Sequence, residues 1–171
     1  MKPPGWFLNA GLRTLRAFVP SLARPDDDFA ARWLPESELA LYRRMDRRDR
    51  DHACRVARRV LEAQPRVPAT VVRAALLHDV GKAEAPYRAW ERVAVHLYRP
   101  RQPIGPGEHA DTAPAGGLAA SWAWHRQHPE RGAEMILAAG GDPEVAALVR
   151  RHHHPAGSRG AELIEAADAQ T

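Results

Sequence analysis

The chain has 171 residues, the size of one ordinary domain rather than of a repeat array. With 25 basic and 21 acidic residues its formal charge is +4, too mild to imply a nucleic-acid partner, and none is expected. Its single cysteine excludes a disulfide framework or a cysteine-cluster metal site and suits the reducing cytoplasm, while recurrent arginines break up any apolar stretch of the roughly 18 to 20 residues that spans a bilayer.

Residues 1–20 place Leu8, Leu12, Leu15 and Val19 on one stripe, with Arg13 and Arg16 off it. That spacing predicts an amphipathic helix, and the two arginines in its middle argue against a secretory signal. The stripe suits packing on the chain's own domain; a membrane surface or a partner is the other surface it would fit. Residues 21–33, with Pro25 and the acidic run Asp26, Asp27 and Asp28, read as a connector. The domain boundary therefore falls between an N-terminal helix with its connector, 1–33, and a single domain over 34–171.

Past residue 33, long periodic segments alternate with short Pro/Gly punctuation, and no alternating β-branched run occurs. An all-α, compact helical bundle follows, with helices expected at 36–47, 50–64, 68–79, 87–98, 117–126, 129–139, 143–154 and 159–169. Pro100, Pro103, Pro106 and Pro114 prevent a long helix across 99–117, which reads as a loop.

The segment from Pro68 to Lys82 is apolar nearly all round except for Arg73, so it should be a buried helix, yet it runs into His78-Asp79. A buried imidazole beside a buried carboxylate is costly unless each is hydrogen-bonded or ligates a metal. Gly81 is expected to end this helix in the left-handed conformation. Other segments bring ligands to the same region. His52 heads a stripe with Val56 and Val60; Val145, Leu148 and Val149 lead by helical steps to His152 and His153, with His154 in reserve; Ala161 and Ile164 lead to Asp168. His128 is expected to cap a helix opened by Pro129 and closed by Gly140.

One small core is hard put to satisfy so many imidazoles and carboxylates without a metal. A donor set without thiolate suits Fe, Mn, Zn, Co or Ni, with room for one or two divalent ions. Lys82 stands out because only Lys2 and Lys82 are lysines in an arginine-rich chain. Arg88 and Arg92, one turn apart, are weaker candidates for phosphate contacts. His96, His109 and His125 match no motif position, Cys54 reads as a small buried hydrophobe, and Trp122 and Trp124 read as core and rim.

The order His52, His78-Asp79, Asp168 resembles the HD superfamily of metal-dependent phosphohydrolases, and HDVGK is similar to its HD-x-G-K form, over roughly Leu34 to the C-terminus. The added His128 and the run His152–His154 resemble members with an expanded site, among them bacterial dinucleoside-tetraphosphate hydrolases and the cyclic-di-GMP phosphodiesterase branch. That branch carries Gly-Tyr-Pro after its paired histidines, where this chain has Pro155-Ala156-Gly157-Ser158, so cyclic-di-GMP cleavage is not expected.

The resemblance implies that His52, His78, Asp79 and Asp168 hold one metal, and that Asp79 bridges to a second held by His128, His152 and His153. It implies a hydrolase acting on a nucleotide or other small phosphate ester by attack of a metal-bound hydroxide, with Asp79 and Lys82 in catalytic roles and Lys82 holding a phosphate oxygen. A non-catalytic nucleotide-binding regulatory module and, further off, a di-iron oxygenase are the competing readings.

Overall fold

The computed structural model of the chain describes residues 23–85 and 118–171. The helices expected at 1–20 and 87–98, the loop expected at 99–117, and Arg88 and Arg92 lie outside the described residues. Within them, all regular structure is helical, as the periodicity predicts: α1 Asp27–Trp33, α2 Glu36–Arg44, α3 Arg47–Ala63, α4 Ala69–Leu77, a 3-10 turn Val80–Lys82, α5 Leu118–Ala138, α6 Pro143–Arg151 and α7 Arg159–Gln170.

The central element is α4. Val71, Val72, Ala74, Ala75, Leu76 and Leu77 are all buried, and the helix packs against α1, α2, α3, α6 and α7. Such a helix needs apolar residues on every face, which is why its sequence shows little amphipathicity. Its neighbours are one-sided: Val56 and Val60 of α3, Val145 and Val149 of α6, and Ala161 and Ile164 of α7 all point into the common core. Each of those stripes aims the end of its helix at the region beyond the C-terminus of α4.

The polar exception, Arg73, leaves α4 toward a fully buried carboxylate. Its Nε donates to Glu38 Oε2 at 2.8 Å, and its Nη1 lies 3.3 Å from Asp142 Oδ2. Glu38 Oε1 also accepts from the Asp142 amide at 3.2 Å. The buried charge is thus paired and hydrogen-bonded, as burial requires, and the network ties α2 and α4 to the start of α6.

Three expectations need correction. Residues 27–33 are helical and not a connector: the Asp26 side chain accepts from the Phe29 amide at 2.9 Å as N-cap, and Asp27 and Asp28 occupy the first turn. The acidic run is a helix-start signal, and Phe29 and Ala30 enter the core. The break expected near residue 128 is absent, since α5 runs unbroken through Pro129. His128 therefore sits within a helix and caps none. An internal proline forgoes one backbone bond at a cost of about 3 kcal/mol, offset here by packing of α5 on α6 and on the 3-10 turn. Finally, α4 ends at Leu77, and Gly81 is not left-handed; among the described residues only Gly140 and Gly157 have positive φ. The expected ends at Gly140, φ 72°, and at Asp142-Pro143, where the Asp142 side chain caps Glu144, are as anticipated.

Candidate metal centre

The end of α4 brings six imidazole and carboxylate side chains together around Asp79. His52 from α3, His78 just after α4 and Asp168 from α7 offer ligand atoms all within 4.8 Å of one another, and His128 from α5 with His152 and His153 just after α6 do the same. Asp79 lies between the two groups. Its Oδ1 is 3.2 Å from His128 Nε2, and its Oδ2 is 3.6 Å from His78 Nε2. All seven residues expected as ligands thus converge, and of the exposed pair His153 and His154 it is His153 that joins the group.

Hydrogen bonding settles which ring nitrogens are available. His78 Nδ1 lies 2.9 Å from the Ala75 carbonyl, His152 Nδ1 lies 2.7 Å from the Val149 carbonyl, and His128 Nδ1 contacts the His125 carbonyl. A carbonyl oxygen only accepts, so each Nδ1 carries the proton and each neutral ring presents its lone pair at Nε2. His128 Nε2 and His152 Nε2 face each other at 3.3 Å. His78 Nε2 is buried without a hydrogen-bond partner among the described residues. Lone pairs aimed at one another and at a carboxylate repel, and a divalent cation is what relieves that repulsion. The donors fit such an ion: imidazole and carboxylate, with no thiolate.

The electrostatics agree with neutral imidazoles and ionised acids. Burial lowers the pKa of His128, aided by the nearby Lys82 charge, and lowers that of His152 further, aided by His78 and His153. His153 is exposed, but its ring centroid lies 4.0 Å from that of His152 and 5.1 Å from that of His128, and desolvation there together with His128 brings its pKa down to about 4. For Asp79, burial opposes ionisation, yet its neighbours, the Lys82 ammonium first among them, hold the carboxyl well below its ordinary range. Asp168 is held low in the same way against burial, chiefly by the bond to His52 Nε2 at 2.8 Å.

Lys82 is nearly buried, at 9% exposure, and its Nζ lies 2.7 Å from Asp79 Oδ1. Burial disfavours its charge, but Asp79, Asp49 and Asp168 together raise its pKa. Its described partner is therefore the central carboxylate.

Gly81 is demanded by close packing and not by its dihedral angles. A Cβ there would lie 2.1 Å from the His128 carbonyl oxygen and 2.8 Å from the Gly132 amide nitrogen. The Trp124 indole N–H donates to the Gly81 carbonyl at 2.9 Å, and the Arg131 guanidinium stacks 4.1 Å above the Trp124 ring. Trp124 is thus a half-buried clamp on the turn that carries Asp79.

Sequence reasoning missed two neighbours. His125 lies against the second group, its ring centroid 5.4 Å from that of His128 and 6.3 Å from that of His153. Asp49 contributes to the field at Lys82. Both signals were present, since each stands three residues before an expected ligand, on the same helix face.

Comparison with known proteins gives one match. A family model, HD domain, matches residues 50–170. No curated protein and no solved structure matches the chain.

Proposed function

Because the chain belongs to the HD domain family, we propose that it is a metal-dependent phosphohydrolase acting on a nucleotide or another small phosphate ester. The observation that carries this reading is the pair of three-residue donor groups on either side of Asp79. His52, His78 and Asp168 would hold one divalent ion, His128, His152 and His153 a second, and Asp79 would serve both; Fe, Mn, Zn, Co and Ni all suit the donors. Such ions supply Lewis acidity and bring the pKa of water toward neutrality, the standard requirements for cleaving phosphate esters.

The residues' own work is to keep that arrangement ready. The three Nδ1–H bonds to main-chain carbonyls fix ring orientation and tautomer before any ligand arrives. Lys82 balances the charge of Asp79 and keeps the carboxylate ionised while buried. Arg88 and Arg92 are our candidates for contacts to further phosphate oxygens. We place the protein in the cytoplasm, where a free thiol such as that of Cys54 persists; among the described residues no helix is long and apolar enough to cross a membrane.

The test is elemental analysis of protein purified without a histidine tag, followed by a screen of nucleotides, dinucleoside polyphosphates and simple phosphate esters. Two ions per chain in the wild type, one in His128→Ala and about none in Asp79→Ala, with release of phosphate or a nucleotide from at least one substrate, is the expected result. A metal-replete protein inert toward the whole panel would overturn the hydrolase and favour a binding module.

A further inference from the structure

Two of the three histidines that donate from Nδ1 do so where a helix ends. His78 directly follows α4 and bonds the Ala75 carbonyl, and His152 directly follows α6 and bonds the Val149 carbonyl. Both acceptors lie in the last turn, where a carbonyl lacks the amide four residues on in its own helix; the Val149 carbonyl receives a long bond, 3.4 Å, from the His152 amide and has room for the ring as well. In each case the ring turns back by three residues and takes that carbonyl, and Nε2 is left pointing forward into the centre.

His128 makes the same bond to the carbonyl three residues before it, but in the middle of α5. There, the carbonyl of residue 125 would ordinarily accept from the amide of residue 129. Residue 129 is proline and has no N–H. The missing donor therefore falls on the one carbonyl that His128 uses, and the helix continues beyond it to Ala138.

We propose that Pro129 is a positioning residue for His128. By removing the amide that competes for the His125 carbonyl, it gives a mid-helix histidine the same acceptor that His78 and His152 find at helix ends. The consequence is a fixed Nδ1–H tautomer with the Nε2 lone pair aimed at Asp79 and His152. Helix α5 can then run on to present Gly132 to the Asp79 turn, which a helix ended at residue 128 could not do. The inference rests on His128 being a ligand, as proposed above.

The test is Pro129→Ala, which returns the amide and a better helix former at once. Three quantities are compared with the wild type: melting temperature, the tautomer of His128 in metal-free protein by nitrogen-15 and carbon-13 chemical shifts, and the affinities for Zn²⁺ by calorimetry. The expected result is an unchanged or higher melting temperature, a mixed tautomer at His128, and a second Zn²⁺ weakened on the order of tenfold to a hundredfold, the usual effect of losing a group that orients a ligand. The ion held by His52, His78 and Asp168 should bind as before.

An unchanged tautomer with both affinities intact would overturn the proposal, and so would equal weakening of both ions. Pro129 is buried, so Pro129→Val, which restores the volume along with the amide, covers the case in which alanine leaves a disruptive cavity. If both variants lose the fold, Pro129 is a packing residue and the proposal fails. If wild-type protein binds neither Zn²⁺ nor Mn²⁺, Fe²⁺, Co²⁺ or Ni²⁺, it is the hydrolase reading that fails, and the tautomer comparison still decides the role of Pro129.

Discussion

Gly81 and His128 meet at the level of the main chain: a methyl group on Gly81 would lie 2.1 Å from the His128 carbonyl oxygen. The turn carrying Asp79 and Lys82 is thereby seated in the surface of α5, with the Trp124 indole holding the Gly81 carbonyl from the side. This contact brings Asp79 within 3.2 Å of His128 Nε2. A clash against a carbonyl cannot be relieved by a rotamer change, so Gly81→Ala must push the turn away from α5. The expected cost is about 1 to 3 kcal/mol from overpacking, with the second metal lost before the first. Gly132→Ala should be milder, because its nearest contacts are 3.2 Å. Melting temperatures and metal content of the two variants check the order, and a Gly81→Ala protein with wild-type metal content would contradict it.

The Glu38–Arg73 pair predicts a different kind of loss. Glu38 is fully buried and accepts from Arg73 and from the Asp142 amide. Glu38→Gln keeps the shape but leaves the guanidinium without its buried counter-charge, which should cost roughly 3 kcal/mol or more. The hydrogen bonds of this network join Glu38, Arg73 and Asp142 and none runs to a candidate ligand, so metal stoichiometry at low temperature should be unchanged. Chemical denaturation measures the first quantity and elemental analysis the second; a stability loss below about 1 kcal/mol would show that Asp142 alone suffices to pair Arg73.

Much of this was legible in the sequence for a physical reason. Core-facing stripes in α3, α6 and α7 are periodic, and extending each period by one turn lands on His52, His152 and Asp168. What the sequence hid depends on contacts between distant segments. Gly81 looked like a helix terminator because that is the commonest use of glycine there, and only the approach of α5 shows that it is needed for lack of a side chain. Pro129 looked like a helix start because the proline signal is local, whereas the packing that carries α5 through it is not. The run Asp26 to Asp28 reads as a connector on local composition alone, and only the entry of Phe29 into the core shows it to be a helix start.

The buried imidazoles set the acid stability of the metal-free protein. The folded-state pKa values of His128 and His152 lie below the ordinary 6.5 because burial disfavours their charged forms, and that of His153 lies at about 4. A depressed folded pKa contributes stability that is present above the unfolded value and is lost as pH falls through the folded one. Chelated protein should therefore be insensitive to pH between about 7 and 8 in this respect. Below pH 6.5 it should lose about 1.4 kcal/mol per pH unit for each of the two fully buried rings until that ring titrates. Asp79 and Asp168, also depressed, add their losses only below the ordinary carboxyl value of 3.8. Melting curves of chelated protein from pH 8 to pH 4 measure this, and a flat midpoint from pH 7 to pH 5 would refute the neutral, buried state of the rings.

Lys82 supplies the last test, because its charge and a divalent ion serve the same carboxylate. With Nζ 2.7 Å from Asp79 Oδ1 and both groups nearly buried, Lys82→Met leaves Asp79 with one positive neighbour fewer and the same desolvation. Breaking a buried pair in this way costs roughly 3 to 5 kcal/mol, so metal-free Lys82→Met should melt well below metal-free wild type. An ion bound at Asp79 would restore positive charge beside it, and the gap in melting temperature should narrow when both proteins are saturated with Zn²⁺. Removing an adjacent cation also lowers the repulsion felt by an incoming ion, so Zn²⁺ affinity in the variant should hold or rise even as turnover of a phosphate ester falls. A gap that stays the same with and without metal would mean that Lys82 and the metal do not share Asp79, and would return Lys82 to the phosphate-binding role that its position after the His-Asp pair first suggested.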